Sequence, residues 1–288
     1  MMNGMAIWKH VCAVSLALPL AFAAEGCAVQ TADGTSAPAD EKVATSSEAF
    51  NGGWGYTWNV SSQSSLDMGA DTNKSCFLAG VTGNLVSELG FETVTQGSYV
   101  QINRRNGHYY LDIDPSVGGE PEGGTVFCVP TVANRTTPVT HFNWNSQTAP
   151  TFLGAATPGR QCFLTGVENI SEQSEAHQDF SEAGDSLQVF KSGNSWYLGG
   201  TGVAAGQAAC VDVSGVAGGW EWIAPTYGTA THDLAGAGGG VTCMLTGIGG
   251  SFKANSWSDG VVISEEQSLL KFQMTVSNGK TGWTTCVY

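Results

Sequence analysis

Three stretches of the chain alternate apolar and polar positions with a period of two: Ser98-Tyr99-Val100-Gln101-Ile102, Ser186-Leu187-Gln188-Val189-Phe190 and Ser268-Leu269-Leu270-Lys271-Phe272. That period marks a strand with one buried face. A turn signal follows each stretch, at Asn106-Gly107, Ser192-Gly193-Asn194 and Asn278-Gly279, where Gly and Asn supply the positive φ of a tight hairpin. The expected return strands carry Tyr109-Tyr110-Leu111, Trp196-Tyr197-Leu198 and, in the third case, Trp283. No segment sustains an amphipathic helical period, so the body is expected to be all-β.

The strands belong to a larger repeat. Cys76-Phe77-Leu78-Ala79-Gly80-Val81, Cys162-Phe163-Leu164-Thr165-Gly166-Val167 and Cys243-Met244-Leu245-Thr246-Gly247-Ile248 are copies of one phrase, and a second cysteine follows each, at Cys128, Cys210 and Cys286. An aromatic entry precedes each phrase: Trp54 to Trp58, Phe142 to Trp144 and Trp220 to Trp222. Self-similarity at a period of about 80 residues overrides local guesses about fold, and it divides the body into residues 51–133, 134–216 and 217–288. Units of this size bury a modest core and gain from a covalent staple, so one disulfide per unit is expected, Cys76–Cys128, Cys162–Cys210 and Cys243–Cys286. The phrase itself reads as a core strand, with Cys, Leu and Val on one face and Gly allowing another segment to approach. The expected fold is therefore three tandem Cys-paired β repeats, built as small sandwich-like or barrel-like modules or closed into one pseudo-threefold assembly.

Composition narrows the function classes. Across 288 residues there are 39 glycines and 9 tryptophans, and only 12% of residues are charged, the signature of a turn-rich β protein. The net charge of −14 argues against nucleic acid, whose phosphates need clustered Lys and Arg. It equally disfavours direct contact with anionic lipid.

The N-terminus points out of the cytoplasm. Lys9 and His10 precede an apolar run from Val11 to Ala24 that is too short to span a membrane. Ala21-Phe22-Ala23 offers a cleavage site, and Ala24-Glu25-Gly26-Cys27 an alternative one at the cysteine. This segment resembles a bacterial secretory or lipoprotein signal. The resemblance implies a signal peptide over residues 1–26, a lipid on Cys27, and a secreted or cell-surface protein that meets the membrane through its anchor alone. Parity of the cysteines agrees, since Cys12 leaves with the signal, six pair within repeats and Cys27 is left over. Residues 27–50 are poor in large apolar side chains and read as a disordered tether.

Candidate chemistry is sparse. His108, His141, His177 and His232 show no metal-ligand spacing, and there is neither a nucleophile elbow nor a phosphate loop. Asp112, Asp114 and Ser116 have the donor spacing of half a calcium loop, but Pro115 intrudes and no closing glutamate follows, so a plain turn explains them better and no cofactor is expected beyond this weak calcium signal. Threefold repetition suits multivalent binding better than a single active site. Aromatics set among amides and hydroxyls suit sugars, because ring faces stack on apolar sugar faces while amides bond hydroxyls. Trp54, Tyr56, Trp220 and Trp257 are the candidates. The expected function is a non-catalytic binding protein directed at an extracellular glycan or surface protein. The alternatives are a structural envelope or matrix protein and, further off, a secreted hydrolase.

Overall fold

The computed structural model describes residues 43–48, 54–85, 98–115, 122–130, 141–145, 148–168, 180–202, 205–253 and 256–288. The signal segment, Cys27 and Ser116 lie outside them. Every regular element among these residues is a strand. The first repeat forms β2 (Trp54–Val60), β3 (Ser64–Ala70), β4 (Lys74–Gly83), β5 (Tyr99–Arg105), β6 (His108–Asp114) and β7 (Glu122–Pro130). The second forms β8 (His141–Asn145), β9 (Thr151–Ala155), β10 (Arg160–Glu168), β11 (Ser186–Ser192), β12 (Ser195–Thr201) and β13 (Ala205–Asp212). The third forms β14 (Val216–Ile223), β15 (Thr229–Gly236), β16 (Thr242–Gly249), β17 (Gly260–Glu266), β18 (Lys271–Ser277) and β19 (Thr281–Val287). Within the segment expected to be a tether, β1 (Val43–Glu48) pairs antiparallel with β2 and forms a seventh, edge strand of its sheet.

Each of the three sheets joins two repeats. Their strand orders are β1-β2-β7-β4-β17-β18-β15, β3-β6-β5-β10-β13-β8 and β14-β19-β16-β11-β12-β9. The first, sixth and third strands of one repeat thus continue into the fourth, fifth and second strands of another. Repeat 1 lends its β5-β6-β3 to repeat 2, repeat 2 lends β11-β12-β9 to repeat 3, and repeat 3 lends β17-β18-β15 back to repeat 1. Of the two arrangements open from sequence, this cyclic exchange is the closed pseudo-threefold assembly. The phrase strands β4, β10 and β16 pack against one another at its centre, where the rings of Phe77 and Phe163 lie 5.0 Å apart.

The phrase reaches this position through a bulge. Strict alternation would turn Val81 away from Cys76 and Leu78. In all three copies the register slips by one residue at the same point, between Leu78 and Gly80, Leu164 and Gly166, and Leu245 and Gly247. The extra residue (Ala79, Thr165 or Thr246) is absorbed, and cysteine, leucine and valine or isoleucine come to share one inward face with no solvent exposure. Cys76 stands directly opposite Cys128, Cys162 opposite Cys210, and Cys243 opposite Cys286, and all three pairs are disulfides between adjacent strands of one repeat.

The third copy departs from its sequence reading. The counterpart of β5 and β11 is β17, whose Val261, Val262 and Ile263 form an unbroken apolar run. Ser268 to Leu270 instead belong to the turn between β17 and β18, with Leu269 and Leu270 exposed and Leu270 at φ 49°. Asn278-Gly279 then links β18 to β19, which places Trp283 opposite the phrase strand β16.

Candidate functional site

The seams between repeats are short, and their outward faces differ. Each consists of three residue pairs: Gly80 to Thr82 with Val262 to Gly260, Gly166 to Glu168 with Gln101 to Tyr99, and Gly247 to Gly249 with Gln188 to Ser186. The middle pairs, Val81–Val261, Val167–Val100 and Ile248–Leu187, are fully buried. On the other face the phrase glycine leaves room for its neighbours to close over it. A Cβ at Gly166 would meet the Cβ atoms of both Gln101 and Gln207 at 3.1 Å. One at Gly247 would meet Gln188 Cγ at 2.8 Å and Trp283 Cε3 at 2.9 Å, and one at Gly80 the Thr125 Cβ at 3.1 Å. The same backbone position therefore carries a Gln–Gln pair on the second sheet, a Gln–Trp pair on the third, and the hydroxyl and methyl of Thr125 on the first.

The second sheet is the most polar of the three on this face. Its register lines up one residue from every strand: Ser65, Asp112, Gln101, Gly166, Gln207 and Asn143. Gln207 donates through Nε2 to Gln101 Oε1 at 2.8 Å, crossing the seam above Gly166. Asp112 accepts from Asn103 Nδ2 and Arg105 Nη2, each at 2.7 Å, and bonds the Ser65 hydroxyl. Arg105 also lies over the Tyr110 ring, 4.2 Å from its centroid. The side chains at the outer end of this row are thus held in place by one another, with the Arg105 charge matched by Asp112.

A second row runs alongside, from Asp114 through Tyr99 to Glu168. Asp114 and Glu168 have no hydrogen bond or ion pair among the described residues, and burial pushes both carboxyls up from their ordinary values. Burial likewise raises the Tyr99 phenol, whose oxygen accepts from Gln63 Nε2 at 3.2 Å. Two cavities flank the seam. One of 550 Å³ is lined on the repeat 1 side by Gln63, Ser65, Tyr99, Gln101, Asn103 and Arg105. The other, of 410 Å³, is lined on the repeat 2 side by Asn143, Trp144, Asn145, Thr151, Glu168 and Gln207.

Of the residues singled out in the sequence, Tyr56 and Trp257 come together, from repeats 1 and 3, around a 370 Å³ cavity over the first seam with Thr125, Val262 and Gln267. Tyr56 is half-buried and spends its hydroxyl on the Met68 carbonyl at 2.9 Å. Trp257 is 38% exposed and points its indole N–H at the Val60 carbonyl, 3.5 Å away. Trp220 lies apart on β14, half-buried against Gly218 and the core. Trp54 opens β2 and pairs with Cys128. Asp112 and Asp114 share a face of β6, but Asp112 is committed to Arg105, Asn103 and Ser65. No group of three metal-binding side chains occurs among the described residues.

Sequence reasoning missed Tyr99, Gln101, Asn143, Glu168 and Gln207. The alternation of Tyr99-Val100-Gln101-Ile102 already turns Tyr99 and Gln101 away from the core, but the strand that meets them belongs to another repeat. A different surface marks the third sheet, where Phe152 stacks edge-on to Tyr197 at 5.8 Å and Tyr197 lies against Phe190 at 5.9 Å. No protein-family model matches the chain, and no curated protein sequence matches it.

Proposed function

We propose that this chain is a secreted or surface-anchored, non-catalytic binding protein that recognises carbohydrate on the outward face of its second sheet. The observation that carries this reading is the row Ser65, Asp112, Gln101, Gln207 and Asn143, in which Ser65 bonds Asp112, Gln207 bonds Gln101 across the seam, and Asn143 stands next in register. Sugar recognition draws on this mixture: amides both donate and accept, so they match hydroxyls of either polarity, and nearby rings cover apolar sugar faces. Tyr99 and Tyr110 are the rings next to this row. Pre-bonded side chains lose little freedom on meeting a ligand, which lowers the cost of binding. Secretion and anchoring rest on the N-terminal pattern with its apolar run and Cys27, and three disulfides accord with an oxidising compartment.

The reading is tested by presenting the purified mature chain to a glycan array that includes extracellular polysaccharides. Retention on a defined set of glycans is the expected outcome. Retention on none would leave the structural envelope or matrix role as the better account.

A further inference from the structure

Resting on the carbohydrate reading, we propose that the second-sheet face takes an uncharged oligosaccharide laid across the seam between repeats 1 and 2, with one sugar unit in the cavity on each side. The Gln101–Gln207 pair stands between the two cavities, with Gln101 lining the first and Gln207 the second. A ligand that fills only one side uses one amide of the pair. A ligand of two or more units uses both, together with Tyr99 on the first side and Asn143 and Asn145 on the second.

The charge of the ligand follows from what the side chains already hold. Arg105 on this face is matched by Asp112 at 2.7 Å. Asp114 and Glu168 flank Tyr99 from neighbouring strands of different repeats, with no cation among the described residues to answer them. Hydroxyl groups donate to such carboxylates, and charge-assisted hydrogen bonds of this kind are the stronger ones. A uronate or sulfate brought to the same place meets like charge in a partly desolvated setting, which costs affinity. The face is therefore selective for neutral chains because two of its carboxylates have no partner among the described residues.

The test measures retention of the full mature chain on immobilised neutral gluco-, manno-, galacto- and xylo-oligosaccharides of one to six units, and on polygalacturonate. At least one neutral series should bind about tenfold more tightly at two or more units than as its monosaccharide, since one further shared interaction of roughly 1.4 kcal/mol gives that factor. Polygalacturonate should be retained weakly by the native chain and several-fold better by the Asp114→Asn, Glu168→Gln double variant, at an unchanged melting temperature. Equal affinity for one unit and for longer chains would overturn the proposal while leaving carbohydrate binding intact. So would native retention on polygalacturonate above every neutral chain, or unchanged polygalacturonate retention in a folded double variant. Should the double variant fail to fold, the chain-length series and the native preference decide alone. Binding to no saccharide would overturn the carbohydrate reading itself.

Discussion

The ring of Phe77 in repeat 1 meets that of Phe163 in repeat 2 at 5.0 Å, and both are fully buried where the phrase strands converge. Each repeat thus completes part of its core with side chains of its neighbour, while lending three strands to the next sheet. Stability on this arrangement is a property of the whole body. Phe163→Ala should cost about 3–5 kcal/mol, the usual range for a large buried ring. Thermal unfolding followed by near-ultraviolet dichroism and by calorimetry should show one shared transition that moves down in temperature. A transition that splits, with two repeats melting as before, would indicate repeats that stand alone.

A buried ion pair ties the end of the third repeat together. Lys280 Nζ donates to Asp259 Oδ2 at 2.6 Å, with Ser277 and Asn278 donating to Oδ1 at 2.6 and 2.8 Å. Burial alone would raise the Asp259 carboxyl, but these three donors together outweigh it and hold the group below its ordinary value of 3.8. Its contribution to stability is therefore complete above pH 3.8 and is lost as pH falls through the lower folded value. Asp259→Asn leaves the lysine charge buried without its partner and should destabilise by about 3–5 kcal/mol near neutral pH. Denaturant midpoints measured from pH 7 down to pH 2 should show a shallower acid limb in the variant than in the native chain.

The N-terminal pattern makes its own prediction. Replacing Cys27 by Ser should move the protein from the membrane fraction of a bacterial host to the soluble extracellular fraction, because a thioether-linked lipid needs the thiol. Unchanged partitioning, or a mature chain that begins at Ala24, would remove the anchor.

Much of the architecture was legible in the sequence because its causes are local. The thrice-written phrase, the alternation of Ser186 to Phe190 and the turns at Asn106-Gly107 and Ser192-Gly193 each specify their own segment. The disulfides were legible because each lies within one repeat. The exchange of strands between repeats was not. Pairing of β5 with β10 depends on three residue pairs between segments remote in sequence, and nothing in either strand names its partner. Misplacement of the third copy has a local cause: Ser268 to Phe272 alternates like a strand, yet Leu270 takes a left-handed turn conformation with its side chain exposed. The proposed site was illegible for the same reason as the exchange, since Gln101 and Gln207 become neighbours only once repeat 1 lends β5 to repeat 2. Aromatic content pointed to Tyr56, Trp220 and Trp257, of which Tyr56 and Trp257 meet over the first seam and Trp220 lies apart on β14.

Ligand binding on the outward face of the second sheet can be tested with the Gln101→Ala, Gln207→Ala double variant. Both amides are half-buried surface groups that bond chiefly each other, so removing both leaves no orphaned partner and little effect on folding is expected. Affinity for the glycan retained by the native chain should be compared in the two proteins by calorimetric titration, at matched melting temperature. Two lost hydrogen bonds of about 1 kcal/mol each predict a fall of roughly ten- to thirty-fold. Undiminished affinity in the folded double variant, together with loss of binding on Trp257→Ala, would place the site over the first seam and contradict the account.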